Sequence, residues 1–141
     1  MKILVDTNVI IDIFTKREPW FKNSYQSLSI AVETDKNELF ISASCITDIF
    51  YLLRKSLKDK DKTKSCIERL SRLCTIADVT STDIQTALNS EMDDFEDAVV
   101  DSVAHRHGAD YILTRNVKDF TDSQVKAITP DEFIRDHLPE F

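Results

Sequence analysis

The stretch DFEDAVVDSVAHRHGADYILTRN, residues 94–116, decides the fold. Phe95, Ala98, Val99 and Val103 recur at the spacing of one helical face. Gly108 follows, where a left-handed residue ends a helix. Tyr111-Ile112-Leu113 is then a short apolar run that reads as a buried strand and delivers Thr114-Arg115-Asn116 at its carboxyl end. A helix feeding a buried strand through one glycine is a piece of an α/β protein with a parallel sheet.

The same pattern extends in both directions. Ile3, Leu4 and Val5 form a strand ending at Asp6, and Val9, Ile10, Ile13 and Phe14 carry the next helix as far as a break at Glu18-Pro19. A second helix is expected from about Trp20 to Glu33, and a strand at Leu39-Phe40-Ile41. Ser42 or Ser44 then caps a helix with Ile46, Ile49, Phe50 and Leu53 inward. The basic segment that follows is expected to pack through Ile67, Leu70 and Leu73, with a weak strand at Ile76–Val79. Thr80 to Asn89 reads as a helix with Ile84 and Leu88 inward. Val125 to Thr129 reads as a last strand, and Pro130 opens a helix containing Phe133 and Ile134. Regular βα alternation without hairpin signals, linkers or repeats predicts one domain over residues 1–141, an α/β/α sandwich round a central parallel sheet.

Composition narrows the function. The single glycine excludes a Rossmann fingerprint and a P-loop, which need several glycines to bring backbone amides against phosphate. Cys45, Cys66 and Cys74 lack C-x-x-C spacing and match no zinc pattern with His105, His107 and His137, so they read as buried reduced thiols. The N-terminus MKILVDTN is too short an apolar run for a signal peptide and no run is long enough for a membrane span, so a cytoplasmic, non-membrane protein is expected. The formal net charge of −7 conceals an asymmetry. Eight Lys/Arg lie between Arg54 and Arg72, and six acids with no base lie between Glu91 and Asp101. That division suits a metal-dependent enzyme acting on a polyanion, although two solvated helix faces look the same in sequence.

The acids carry the chemistry. Asp6 ends the first strand, where ligand sites of parallel sheets form, and the same position suits a helix N-cap. Asp48 lies about one turn into the helix after the second strand. Asp94, Asp97 and Asp101, at i, i+3 and i+7, are expected to share a face. Such like-charge pairs cost an isolated helix roughly 0.2–0.5 kcal/mol each, and a divalent cation relieves that repulsion. Mg²⁺ and Mn²⁺ take carboxylate oxygens and water, and activate water against phosphodiesters.

MKILVDTNVIIDIF, FISASCITDIFYLLRK and DFEDAVVDSVAHRHGADYILTRNVKDF together resemble the successive acidic motifs of the PIN domain family, and the ending TPDEF fits it too. The resemblance implies an Mg²⁺- or Mn²⁺-dependent endoribonuclease. Many such proteins, the VapC-like group, are toxins with a cognate antitoxin, and the family implies a homodimer. Carried over by position, the metal-binding acids are Asp6, Asp48 and Asp97, with Asp94 as helper. Two positions depart from the pattern: the second acid is Asp48 where Glu is common, and the fourth is the neutral Asn116. Asp119 either supplies the missing charge or caps the following turn, and Arg115 and Lys118 are candidates for phosphate contact. Two rival readings remain at this level. One is a PIN-like domain that binds RNA or protein without cutting. The other is a phosphatase of the haloacid dehalogenase type, which needs an acid where Asn8 stands.

Overall fold

The run Lys2–Val5 forms β1, and its apolar side chains explain its place at the centre of the sheet: Ile3, Leu4 and Val5 are all buried. Parallel strands covered on both faces need such continuous apolar runs, and each fully buried Ile or Leu contributes about 1.5–3 kcal/mol. The computed structural model describes residues 1–138, so the last three residues of the expected 1–141 span lie outside it. The remaining elements are α1 (Thr7–Phe14), α2 (Phe21–Glu33), β2 (Glu38–Ser42), α3 (Ala43–Leu57), α4 (Lys60–Leu73) and β3 (Thr75–Ala77). There follow α5 (Ser81–Leu88), α6 (Phe95–Arg106), β4 (Tyr111–Leu113), a 3₁₀ turn (Val117–Phe120), β5 (Ala127–Ile128) and α7 (Pro130–His137).

All strands pair in parallel in the order β3-β2-β1-β4-β5, with Ile3 beside Leu39 on one side and Tyr111 on the other. The chain therefore builds outward from β1 through β2 to β3, then returns to add β4 on the opposite side. Right-handed crossovers consequently place α5 and α6 on the face opposite α1–α4. Packing agrees: α1 lies against α2 and α3, α2 against α7, and α5 against α6. The reversal of direction falls between β1 and β4, and ligands of open parallel sheets bind outside the carboxyl ends of the strands at that point.

Caps explain the helix starts. Asp6, Ser42, Asp59, Thr80, Asp94 and Thr129 each accept a backbone N–H from the helix they precede. Ser42, rather than Ser44, caps α3. Gly108 takes φ +71° and closes α6, a conformation costly for any residue with a Cβ.

The structure corrects the expected inward faces of three helices. On α5, Asp83 and Ala87 are buried while Ile84 and Leu88 are exposed, Leu88 to 64%. The Asp83 carboxylate fixes this rotation, because it completes a capping box with Thr80 and receives Arg106 Nε at 3.2 Å and Ser102 Oγ at 2.8 Å. Burial pushes the Asp83 carboxyl up, but these hydrogen bonds outweigh it and hold the acid down at about 2. On α6 every residue from Ala98 to Ala104 is buried, so the helix has no solvated stripe there, and Phe95 at its start is 48% exposed. On α4, Leu70 is buried but Leu73 is exposed. Cys45 and Cys74 are buried free thiols, whereas Cys66 is only half-buried. Among the described residues no helix is long and apolar enough to cross a membrane.

Candidate metal centre

Asp6 sits at the reversal point itself. Its Oδ1 accepts the Thr7 N–H at 2.9 Å, capping α1, and its Oδ2 accepts the Thr114 hydroxyl at 2.8 Å from the end of β4. Asn8 bridges the same two strands' ends, donating Nδ2 to Thr114 Oγ1 at 3.1 Å and to Asp6 Oδ2 at 3.4 Å. One Asp6 oxygen therefore caps α1, while the other is held by Thr114 and Asn8 at the end of β4. Burial raises the Asp6 pKa against these hydrogen bonds, with the charges of Asp119 and Asp94 adding to the rise.

The N-terminus of α6 supplies the next carboxyls. Asp94 caps the helix by accepting the Asp97 N–H at 2.9 Å. Burial pushes the Asp97 carboxyl up to about 7, helped by the charges of Asp6, Asp94, Asp119 and Glu96. Asp119 belongs to the 3₁₀ turn, and its N–H donates to the Asn116 carbonyl at 3.0 Å, folding it back toward the strand ends. Asn116 is exposed, and its side chain makes no capping hydrogen bond. Asp48 is exposed in the second turn of α3 and meets Glu96 rather than Asp97 directly. The Glu96 carboxyl is pushed up to about 7 by desolvation, by its hydrogen bond with Asp48, and by the charges of Asp48, Asp94 and Asp6.

Glu96 is the site residue that sequence reasoning passed over. Its only signal was its place among the acids opening α6, where Asp94 and Asp97 drew the assignment through helical spacing. The structure also separates Asp101 from the expected acidic face. It is 5% exposed and accepts the backbone N–H groups of Gln124 and Val125 at 2.9 and 3.0 Å, tying α6 to the loop before β5. Arg115 is likewise turned inward, pairing with buried Asp12 at 2.7 Å instead of standing free for phosphate. The eight basic residues between Arg54 and Arg72 are all exposed. Ten residues of helix and helix end separate Asp48 from Lys58, about 15 Å at 1.5 Å per residue, so the far end of α3 stands well away from Asp48.

The donor set is oxygen throughout, since burial keeps the nearby Cys45 thiol protonated by pushing it up to about 12. Hard divalent ions match such a set, and crowding that keeps carboxyls protonated near neutrality is what a cation relieves. Among the described residues no group of three or more His, Cys, Asp or Glu side chains stands close enough together to hold a metal ion by itself. Mg²⁺ tolerates this, because it keeps several waters and needs only one or two carboxylates.

Electrostatic crowding has a measurable consequence without metal. With folded pKa values near 7 for Asp97 and Glu96 against about 4 when unfolded, the folded chain holds protons that the unfolded chain has lost between about pH 4 and pH 7. Stability in EDTA should therefore fall as pH rises through that window. A rise of that size in the Asp97 pKa is worth about 4 kcal/mol at full effect, and solvent at the crevice mouth should cut it to about 1–2 kcal/mol. Asp97→Asn should thus melt several degrees higher than the wild type at pH 8 and lose that advantage at pH 5. Melting curves in EDTA at both pH values decide it, and a variant less stable at pH 8 assigns Asp97 a structural role.

A model of the PIN domain family matches residues 2–118. Ribonuclease VapC1 of Aquifex aeolicus (strain VF5) is 31% identical over 137 residues, spanning 94% of this chain and 92% of that protein. Among solved structures, VapBC2 from Rickettsia felis, bound to a DNA fragment from its promoter, superimposes with a TM-score of 0.73 at 18% identity, over 92% of this chain and 98% of that one. VapBC-1 from nontypeable Haemophilus influenzae gives 0.70 at 16%, over 93% and 99%. At such identities the structures speak for the fold alone, but the sequence matches reach further: with the acids gathered at the reversal point of a parallel sheet, the chain belongs to the PIN domain family.

Proposed function

We propose that this chain is a divalent-metal-dependent endoribonuclease and the toxin of a toxin–antitoxin pair, acting in the cytosol. The observation that carries the reading is the crowding of carboxyls at the end of a sheet where substrates bind: burial and neighbouring charges raise Asp6, and push Asp97 and Glu96 up to about 7. The ribonuclease relative, similar over nearly the whole chain, points the same way.

Asp6, Asp48 and Asp97 would hold the metal, with Asp94 as helper. Asp119 supplies the fourth charge in place of Asn116, since it is Asp119 whose field reaches both Asp6 and Asp97. A bound Mg²⁺ or Mn²⁺ contributes the Lewis acidity that phosphodiester hydrolysis requires. Thr114 and Asn8 orient the Asp6 carboxylate through the hydrogen bonds described above. Glu96 shares a hydrogen bond with Asp48 and favours its protonated form there, and a bound cation would favour the carboxylate instead. The exposed basic residues of α3 and α4 attract the polyanion from further out.

The phosphatase reading fails on Asn8. It stands where that chemistry needs an acid, carries no titratable proton, and is occupied in positioning Asp6 and Thr114. For partners, the apolar groove of about 310 Å³ lined by Ile10, Phe14, Tyr25, Leu28, Val32 and Leu73 suits an antitoxin segment. Exposed Tyr51 and Leu52, neighbours on α3, suit a second copy of the chain.

Purified protein incubated with single-stranded RNA tests the reading. Cleavage is expected with Mn²⁺ or Mg²⁺ and none in EDTA. Full cleavage in EDTA, or none with either ion, overturns it.

A further inference from the structure

Beside the acids, along the same carboxyl edge of the sheet, lies a second cavity of about 190 Å³ lined by Trp20, Asn23, Ser24, Arg115, Thr129 and Asp131. Its walls come from the ends of β4 and β5 and the start of α2, so it continues the crevice away from β1. Arg115 is its hinge with the metal centre. It directly follows Thr114, and its backbone N–H donates to Asn8 Oδ1 at 3.1 Å.

Two features set this cavity apart from an ordinary surface hollow. The first is a held π-surface. The Arg115 guanidinium lies 4.1 Å from the Trp20 ring centroid and is locked there by Asp12, while Arg17 stands 5.1 Å from the same ring. Trp20 nevertheless stays 37% exposed, an aromatic left open beside two cations in an acidic protein. The second is its polar rim. Asn23 and Asp131 are exposed and make no side-chain hydrogen bonds to the described residues, whereas Ser24 is engaged by Asp12 and Thr129 by the cap of α7.

We propose that this cavity binds one unpaired nucleobase of the RNA, adjacent to the phosphodiester held at the acids. The proposal rests on the ribonuclease reading above. The base packs against the Trp20–Arg115 stack, extending it as single-stranded RNA does on aromatic rings and guanidinium planes. Its edge meets Asn23, which donates and accepts, and Asp131, which only accepts. An accepting carboxylate favours a base with an exocyclic amino group (adenine, cytosine or guanine) over uracil, whose one edge donor, N3–H, is flanked by two carbonyls. The cavity is thus a specificity pocket next to a centre whose acids read only the backbone.

Trp20 is the only tryptophan of the chain, so its fluorescence reports occupancy directly. The experiment uses Asp97→Asn, to prevent cleavage, and end-labelled short oligoadenylate, oligouridylate and an abasic oligomer of equal length. Anisotropy of the label reads RNA binding, and tryptophan emission reads the pocket. Binding of oligoadenylate with quenching of Trp20, weaker quenching by oligouridylate and none by the abasic strand is the expected result. Trp20→Ala should weaken oligoadenylate binding about tenfold, Trp20→Phe should recover most of it, and Asp131→Asn should erase the preference over uridylate. Anisotropy without quenching, or equal quenching by the abasic strand, overturns the base pocket and leaves the ribonuclease reading standing. No anisotropy change with any strand overturns both.

Discussion

Asp6→Asn and Asp97→Asn should each lower metal-dependent RNA cleavage by more than about 100-fold, since even residues that merely orient metal ligands are worth about 10–100-fold. The two losses should differ in their side effects. Asn is as good an N-cap as Asp, so Asp6→Asn keeps the start of α1, but it offers the Thr114 hydroxyl only one accepting oxygen. Asp97→Asn removes a carboxyl that is electrostatically unwelcome in the metal-free chain and should leave a protein at least as stable as the wild type. Mn²⁺ should raise the melting temperature of the wild type more than that of either variant, because a ligand stabilises in proportion to its affinity for the folded state. Thr114→Val should fall between, losing about 10–100-fold in activity together with Mn²⁺ affinity. Cleavage rates at saturating Mn²⁺ and melts with and without the ion test the set. Wild-type rates in both Asp variants would remove these residues from the site.

The second large effect concerns stability. Arg115→Met or Asp12→Ala should destabilise the protein by about 3–5 kcal/mol, the cost of breaking a buried ion pair from one side. Asp12 is fully buried, and Arg115 reaches it through two hydrogen bonds, Nε to Oδ2 at 2.7 Å and Nη2 to Oδ1 at 3.2 Å, with Ser24 Oγ donating to the same carboxylate at 3.0 Å. Removing Arg115 strands a charge with one hydroxyl for company. Removing Asp12 strands a guanidinium between α1 and Trp20. Replacing both, as Asp12→Leu with Arg115→Met, should recover much of the loss, because apolar packing substitutes well for a buried pair. Urea unfolding gives the numbers, and a single-variant cost below about 1 kcal/mol would place the pair with ordinary surface salt bridges.

What the amino-acid sequence determined by itself is the framework. The runs Ile3–Val5 and Tyr111–Leu113 are apolar at every position, which only strands covered on both faces tolerate. The caps Asp6, Ser42, Thr80 and Thr129 mark helix starts by local chemistry, and Gly108 marks an end. The order of these signals was enough for a parallel α/β sheet and for the family. It was also enough to nominate Asp6, Asp94 and Asp97, because an acid at a strand end or helix start is placed by a few neighbouring residues.

Tertiary structure decided which polar groups meet. Asp97 and Asp101 share a face by spacing, yet the free amides of Gln124 and Val125 claim Asp101 for the loop before β5. Glu96 enters the site because Asp48 arrives beside it from a helix a third of the chain away. Arg106 rotates α5 so that Asp83 is buried and Leu88 is not, and Asp12 draws Arg115 out of solvent. Periodicity is a property of a single element, whereas a desolvated charge takes whichever partner the packing of other elements brings within 3 Å or so. That partner is set by strand order and helix crossing, which no local pattern encodes.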